Sequence, residues 1–203
     1  MSAKVNAQAS RLLLLLAAFL GGLFLIFGVI FFVTGHPFAP VGSAIAAIGG
    51  PLNLEDQNGK PFSDAQMKGH PFLVFFGYTH CPDICPTTLF EMSQLMKALG
   101  PDASRIGALF VTVDPDRDTP KVLKDYLSNF DPHLRALTGT QAQIDTAIKE
   151  YRVYAKKVPL ENGDYSMDHT AIVYLMDKDG RFVAPFNMTR TPQAEAADLR
   201  RYM

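Results

Sequence analysis

Apolar and polar positions divide the 203-residue chain into two unlike parts. From Leu12 to Val33 no residue is charged, and the run is apolar with hardly a polar interruption. At ~1.5 Å per residue a helix of this length crosses the ~30 Å hydrocarbon layer, and it exceeds the ~7 to 15 apolar residues of a cleavable leader. Residues 12–33 therefore read as a retained single transmembrane helix. Cleavage at the small-residue stretch Ser43-Ala-Ile-Ala46 is the alternative. Residues 34–50, uncharged and rich in Gly, Ala and Pro, read as a tether, which leaves residues 51–203 for one globular domain.

Within that domain the hydrophobic period changes repeatedly. Leu52 to Phe62 alternates around Asn58-Gly59, a strong hairpin signal. Phe72 to Phe76 is a continuous apolar run expected of a buried strand, and Leu89, Met92, Leu95, Met96 and Leu99 recur at helical spacing before the stop at Gly100-Pro101. Ile106 to Val113 predicts a second buried strand, completing a β-α-β unit. Thr119-Pro120 and Thr140 mark the starts of two helices, and Ala171–Met176 with Arg181–Phe186 predict an antiparallel pair across Asp177-Lys-Asp-Gly180. Thr191-Pro192 opens a last helix. The expected order is β-α-β-α, then β-β-α, an α/β domain whose mixed sheet flanked by helices resembles the thioredoxin-like fold.

Charge narrows the partners. Nineteen basic residues stand against twenty acidic ones, with no basic stripe, and nothing points to nucleic acid. Lys4 and Arg11 precede the apolar span and no Lys or Arg follows until Lys60, so the positive-inside rule leaves the N-terminus cytoplasmic and the domain outside.

The only two cysteines, Cys81 and Cys85, sit where the first buried strand turns into its helix. That placement predicts an accessible pair. Pro82 and Pro86 suit a first helical turn, and a helix N-terminus lowers thiol pKa values. A structural staple closing so short a loop stabilises little, which favours a redox couple or a metal clamp over an inert disulfide. Asp168-His169-Thr170 precedes the strand at Ala171, and in a thioredoxin-like topology His169 would face the cysteines. Two thiolates and an imidazole suit Cu(I) or Zn(II), the imidazole also Cu(II). Asp114, at the end of the second strand, is a candidate to assist hydration, add an oxygen ligand or orient His169, against the plainer reading as a turn former. Asp118 and Arg117 are expected in a local loop network or a partner contact. His80 adjoins Cys81 too closely to share its ion; His36, His70 and His133 are expected in solvent. Met92 and Met96 are expected in the core, and Met167 and Met188 to be no more than weak ligands.

Three segments, Gly77-Tyr-Thr-His-Cys81-Pro-Asp-Ile-Cys85-Pro86, Val113-Asp114-Pro115-Asp-Arg117-Asp118-Thr-Pro120 and Asp168-His169-Thr170, together resemble the SCO/SenC family of copper-binding, thioredoxin-like proteins that assist cytochrome c oxidase assembly. The resemblance covers most of the soluble domain. It implies that Cys81, Cys85 and His169 are copper ligands, that the partner is cytochrome c oxidase subunit II, and that the chain is anchored in a bacterial inner membrane with a periplasmic domain, the mitochondrial inner membrane being the alternative. A metallochaperone would need a separate thioredoxin-like reductase to keep Cys81 and Cys85 reduced. Two other functions stay open at this stage: a thiol-disulfide oxidoreductase or peroxidase using Cys81 and Cys85, and a tethered interaction module with an inert disulfide.

Overall fold

The computed structural model describes residues 2–34 and 48–203. Ser43 to Ala46, His36 and most of the expected tether therefore lie outside the described residues. The chain divides into two compact units, Met1–Ile45 and Ala46–Met203. The first contains a single helix, α1 (Ser2–Thr34), whose segment Leu13–Phe32 is long and apolar enough to cross a membrane and has every side chain exposed.

The second unit is a seven-stranded mixed sheet with helices packed on it, and a separate two-stranded hairpin. Its strands are β1 (Asn53–Asp56), β2 (Pro61–Ser63), β3 (Phe72–Gly77), β4 (Gly107–Thr112), β5 (Leu134–Thr138), β6 (Ala155–Pro159), β7 (Tyr165–His169), β8 (Val173–Met176) and β9 (Phe182–Pro185). The helices are α2 (Ile84–Leu99), α3 (Pro120–Leu127), α4 (Gln141–Glu150) and α5 (Pro192–Leu199). Strand order is β2-β1-β5-β4-β3-β8-β9. β3 runs parallel to β4 and antiparallel to β8, and all six of its residues are buried. A strand covered on both faces needs no polar alternation, which is why its apolar run is continuous.

The expected β1–β2 hairpin is present, with Gly59 at φ +73° in its turn, a conformation glycine adopts without Cβ strain. Thr119, Thr140 and Thr191 cap α3, α4 and α5 with their hydroxyls, and at α4 the Gln143 side chain completes a reciprocal capping box. Met92 and Met96 face the core beside Leu89, Leu95 and Leu99, as their spacing predicts.

Three features differ from expectation. An additional sheet strand, β5, lies between β1 and β4, so the segment joining α3 to α4 adds to the sheet instead of linking two helices directly. Residues 155–169 form the β6–β7 hairpin, which pairs with no strand of the main sheet, and His169 ends β7 instead of lying in a loop. Helix α2 begins at Ile84 with Asp83 as its N-cap, so Pro82 precedes the helix and only Pro86 lies in its first turn.

Candidate metal centre

The end of β3 and the start of α2 build the sulfur half of the site. Asp83, unlike the three threonine caps, makes no side-chain bond to the helix. The backbone N–H of Cys85 donates instead to Cys81 Sγ at 3.4 Å, so a sulfur takes the place that an oxygen usually fills at a helix N-terminus. Cys81 is half-buried; Cys85 is fully buried against the core. The accessible pair expected from the sequence is thus one accessible and one hidden sulfur. The expected lowering of thiol pKa fails for Cys85, where burial pushes the thiol well up, and the helix N-terminus does not offset the loss of water. Both cysteines are free thiols.

Backbone space at this point is tight. A Cβ on Gly77 would come within 2.7 Å of Cys85 Sγ and 2.8 Å of the Phe110 ring, so the absence of a side chain at the last residue of β3 makes room for the sulfur.

The other half arrives from β7. His169 Nε2 lies 3.6 Å from Cys85 Sγ across 84 residues of sequence, and the donor atoms of Cys81, Cys85 and His169 all lie within 4.8 Å of one another. Nδ1 of His169 sits 3.1 Å from the Thr170 carbonyl oxygen, which can only accept; the proton therefore belongs on Nδ1, and the Nε2 lone pair faces the sulfurs. The ring packs edge-on against Phe75 and Tyr78, and burial there lowers the imidazole pKa. A neutral ligand is the result.

A thiolate and an imidazole on one tetrahedral or trigonal ion, at ~2.3 Å and ~2.0 Å, stand about 3.5–4 Å apart. The Cys85–His169 separation already meets that span, and the widest separation in the triad exceeds it by less than about 1 Å. Two soft sulfurs with one nitrogen suit a thiophilic ion.

Asp114 is not among the clustered donors and does not orient His169. It is fully buried, but its Oδ1 accepts from Tyr165 Oη at 2.8 Å and its Oδ2 from Arg117 Nε, while His169 turns to the Thr170 carbonyl. Asp118 is the residue braced against the sulfur arm. Fully buried, it accepts from the Thr79 N–H at 3.0 Å, from Thr79 Oγ1 at 2.6 Å and from Thr112 Oγ1 at 2.6 Å, tying the segment just before Cys81 to the end of β4. Burial raises its pKa, and those three donors oppose the rise. The local network expected of Arg117 and Asp118 is therefore present, and it is larger than expected.

His80 is exposed, its Nδ1 beside Thr79 Oγ1, and takes no part in the cluster. His70 and His133 are exposed at the Arg105 carbonyl and Asp131. Met167 and Met188 are buried. Sequence reasoning missed Thr79, Thr112 and Tyr165. Tyr165 lies 51 residues from the carboxylate it touches, in a hairpin whose Asn162-Gly163 turn was the one available signal.

Fold and donor set together define a thioredoxin-like domain with a two-sulfur, one-imidazole cluster at the N-terminus of the helix after β3. Residues 42–203 match the SCO1/SenC family, and the chain belongs to it. An SCO2-like protein of Rickettsia prowazekii is 43% identical over 141 residues, covering 68% of this chain and 69% of its own length. Among solved structures, ScoI of Bradyrhizobium japonicum with copper bound is 62% identical with a TM-score of 0.76, over 77% of this chain and 100% of that one. BsSco, described as a member of the Sco family of cytochrome c oxidase assembly proteins and as carrying a disulfide switch, is 28% identical with a TM-score of 0.61, over 77% of this chain and 93% of its own.

Proposed function

We propose that the chain is a membrane-tethered copper metallochaperone in which Cys81, Cys85 and His169 bind one copper ion for delivery to the binuclear copper site of cytochrome c oxidase subunit II. The observation that carries this reading is the convergence of three suitable donors within 4.8 Å: Cys81 from the turn after β3, Cys85 from the first turn of α2 and His169 from the end of β7. The likeness to ScoI with copper bound supports the choice of ion.

Binding requires both sulfurs reduced and deprotonated. Cys85, held as a thiol by burial, releases its proton as it takes up the ion, so affinity falls with falling pH. His169 needs no such change at neutral pH. Two thiolates suit Cu(I), and the imidazole adds a nitrogen acceptable to Cu(II). Three protein ligands leave a position for a donor of the target, and transfer proceeds by ligand exchange. Oxidation of Cys81 and Cys85 to a disulfide removes both sulfur donors and two electrons; a thioredoxin-like reductase in the same compartment would restore them.

Anaerobic copper titration of the reduced protein tests the assignment. One equivalent should bind, with sulfur-to-copper absorption for Cu(II), and Cys81→Ala should abolish binding. Undiminished copper content in that variant would refute it.

The unequal burial of the sulfurs favours a second reading, a thiol-disulfide oxidoreductase acting on the cysteines of the same target. Cys81, the half-buried and more accessible partner, would attack the target disulfide, and Cys85 would then displace the reduced target from the mixed disulfide. Rapid metal-free turnover of a disulfide substrate distinguishes this reaction from copper transfer.

For the chain as a whole, we place the anchor at residues 12–33, the tether at 34–50 and the copper domain at 51–203, in a bacterial inner membrane with the N-terminus cytoplasmic and the domain periplasmic. The exposed apolar face of Leu13–Phe32 and the position of Lys4 and Arg11 support this arrangement. The mitochondrial inner membrane is the equivalent alternative.

A further inference from the structure

We infer that Arg117 and Tyr165, closed on the buried carboxylate of Asp114, form a clasp that holds the β6–β7 hairpin in place and so sets where His169 meets the sulfurs. The inference rests on the copper reading above and assigns Arg117 and Tyr165 as positioning residues.

Apart from buried Met167 and the edge-on contacts of His169 with Phe75 and Tyr78, the hairpin has no sheet ladder to fix it. β6 and β7 pair only with each other, so no ladder of the main sheet holds them. Lys156 and Lys157 of β6 are exposed, and Met167 is the one buried residue in either strand. Tyr165, Met167 and His169 alternate along β7 and therefore share one face, the face toward the domain. His169 stands at one end of that face. Tyr165 stands at the other, roughly 13 Å away along the strand.

Polar contacts concentrate at the Tyr165 end. Tyr165 Oη donates to Asp114 Oδ1 at 2.8 Å. Arg117 donates from Nε to Asp114, from Nη1 to the Tyr165 carbonyl at 2.9 Å and to Asp164 at 3.2 Å, and its guanidinium lies 3.8 Å from the centre of the Tyr165 ring. Lys157 adds an ion pair with Asp116 at 2.6 Å. Every one of these partners on the domain side belongs to the turn after β4. The same turn supplies Asp118, which holds Thr79 two residues before Cys81. One short turn thus grips both the sulfur arm and the imidazole arm. Loosening its hold on Tyr165 lets β7 pivot about Met167, and the imidazole moves while the sulfurs stay.

Cu(I) and Cu(II) separate this role from general stability, because the thiolates alone suit Cu(I) whereas Cu(II) draws on the imidazole. Tyr165→Phe removes one hydroxyl and little volume; Arg117→Lys keeps the charge opposite Asp114 but loses the fork. In the full-length, reduced protein each should weaken Cu(II) binding by about 10- to 100-fold while changing Cu(I) affinity less than about threefold. In copper-free protein each should speed amide exchange in residues 155–169 and leave β3 and β4 unchanged. In a His169→Ala background neither should weaken Cu(II) binding further. Parental Cu(II) affinity and parental exchange in both variants would overturn the clasp, as would a Cu(II) loss that persists without His169. Should His169→Ala alone leave Cu(II) binding intact, the proposed ligand set fails, and the exchange rates of the copper-free variants still decide the clasp.

Discussion

Gly77 and Cys85 compete for one volume. The backbone of β3 passes so close to the sulfur that even a methyl group at position 77 would meet Cys85 Sγ at 2.7 Å. Gly77→Ala should therefore displace Cys85 and lower stability by about 1–3 kcal/mol, as overpacked cores do. Urea unfolding measures the stability loss, and a fall in copper affinity in the same variant reports the displaced sulfur. His169 gives a pH dependence whose sign is fixed by burial. Its folded-state pKa lies below the ordinary value of about 6.5, so as pH falls the unfolded chain takes up this proton before the folded one does. Stability contributed by the neutral ring is fully present above about pH 6.5 and is lost as pH falls from there toward the folded-state pKa. Unfolding of copper-free protein at pH 7.5 and pH 5.5 should show a loss that His169→Gln reduces.

At the level of elements, the helix and hairpin signals that worked were local. Thr119-Pro120, Thr140 and Thr191-Pro192 announce their helices because a hydroxyl and a fixed proline φ act within one turn of chain. Replacing Thr140 by Ala should cost about 1 kcal/mol, visible as a lower urea midpoint, since it removes the hydroxyl half of the α4 capping box and leaves only the backbone N–H bond to Gln143. The buried run of β3 is legible for the opposite reason: covered on both faces, it tolerates no polar residue. β5 was illegible. Leu134-Arg-Ala-Leu-Thr holds a charged residue in a five-residue strand, and only the fold explains it, because Arg135 reaches out over the Phe62 ring with its guanidinium 5.5 Å from the centre. The β6–β7 hairpin does carry a local mark, Asn162-Gly163 in its turn with Gly163 at φ +83°, which sequence reasoning missed because the lysines of β6 blur the flanking alternation. Site residues follow the same division. Cys81, Cys85 and His169 are marked by residue type and placement, whereas Thr79, Tyr165 and the true partners of Asp114 depend on contacts made across 39 and 51 residues. Tertiary pairing leaves no local period to read.

On the scale of the whole molecule, the helix and the domain are separate compact units, and the full set of donors belongs to the second. A chain lacking residues 1–45 should fold, bind copper with the parental stoichiometry and leave the membrane fraction; loss of copper binding would mean that the division is wrong. The donor cluster itself spans the interval from Cys81 to His169, with β4, β5, three helices and the hairpin between them. During synthesis the two thiols therefore emerge long before the imidazole does. A half-made chain offers an oxidisable dithiol without its nitrogen partner, and full three-donor capture of the ion becomes a late event that reports a finished tertiary structure.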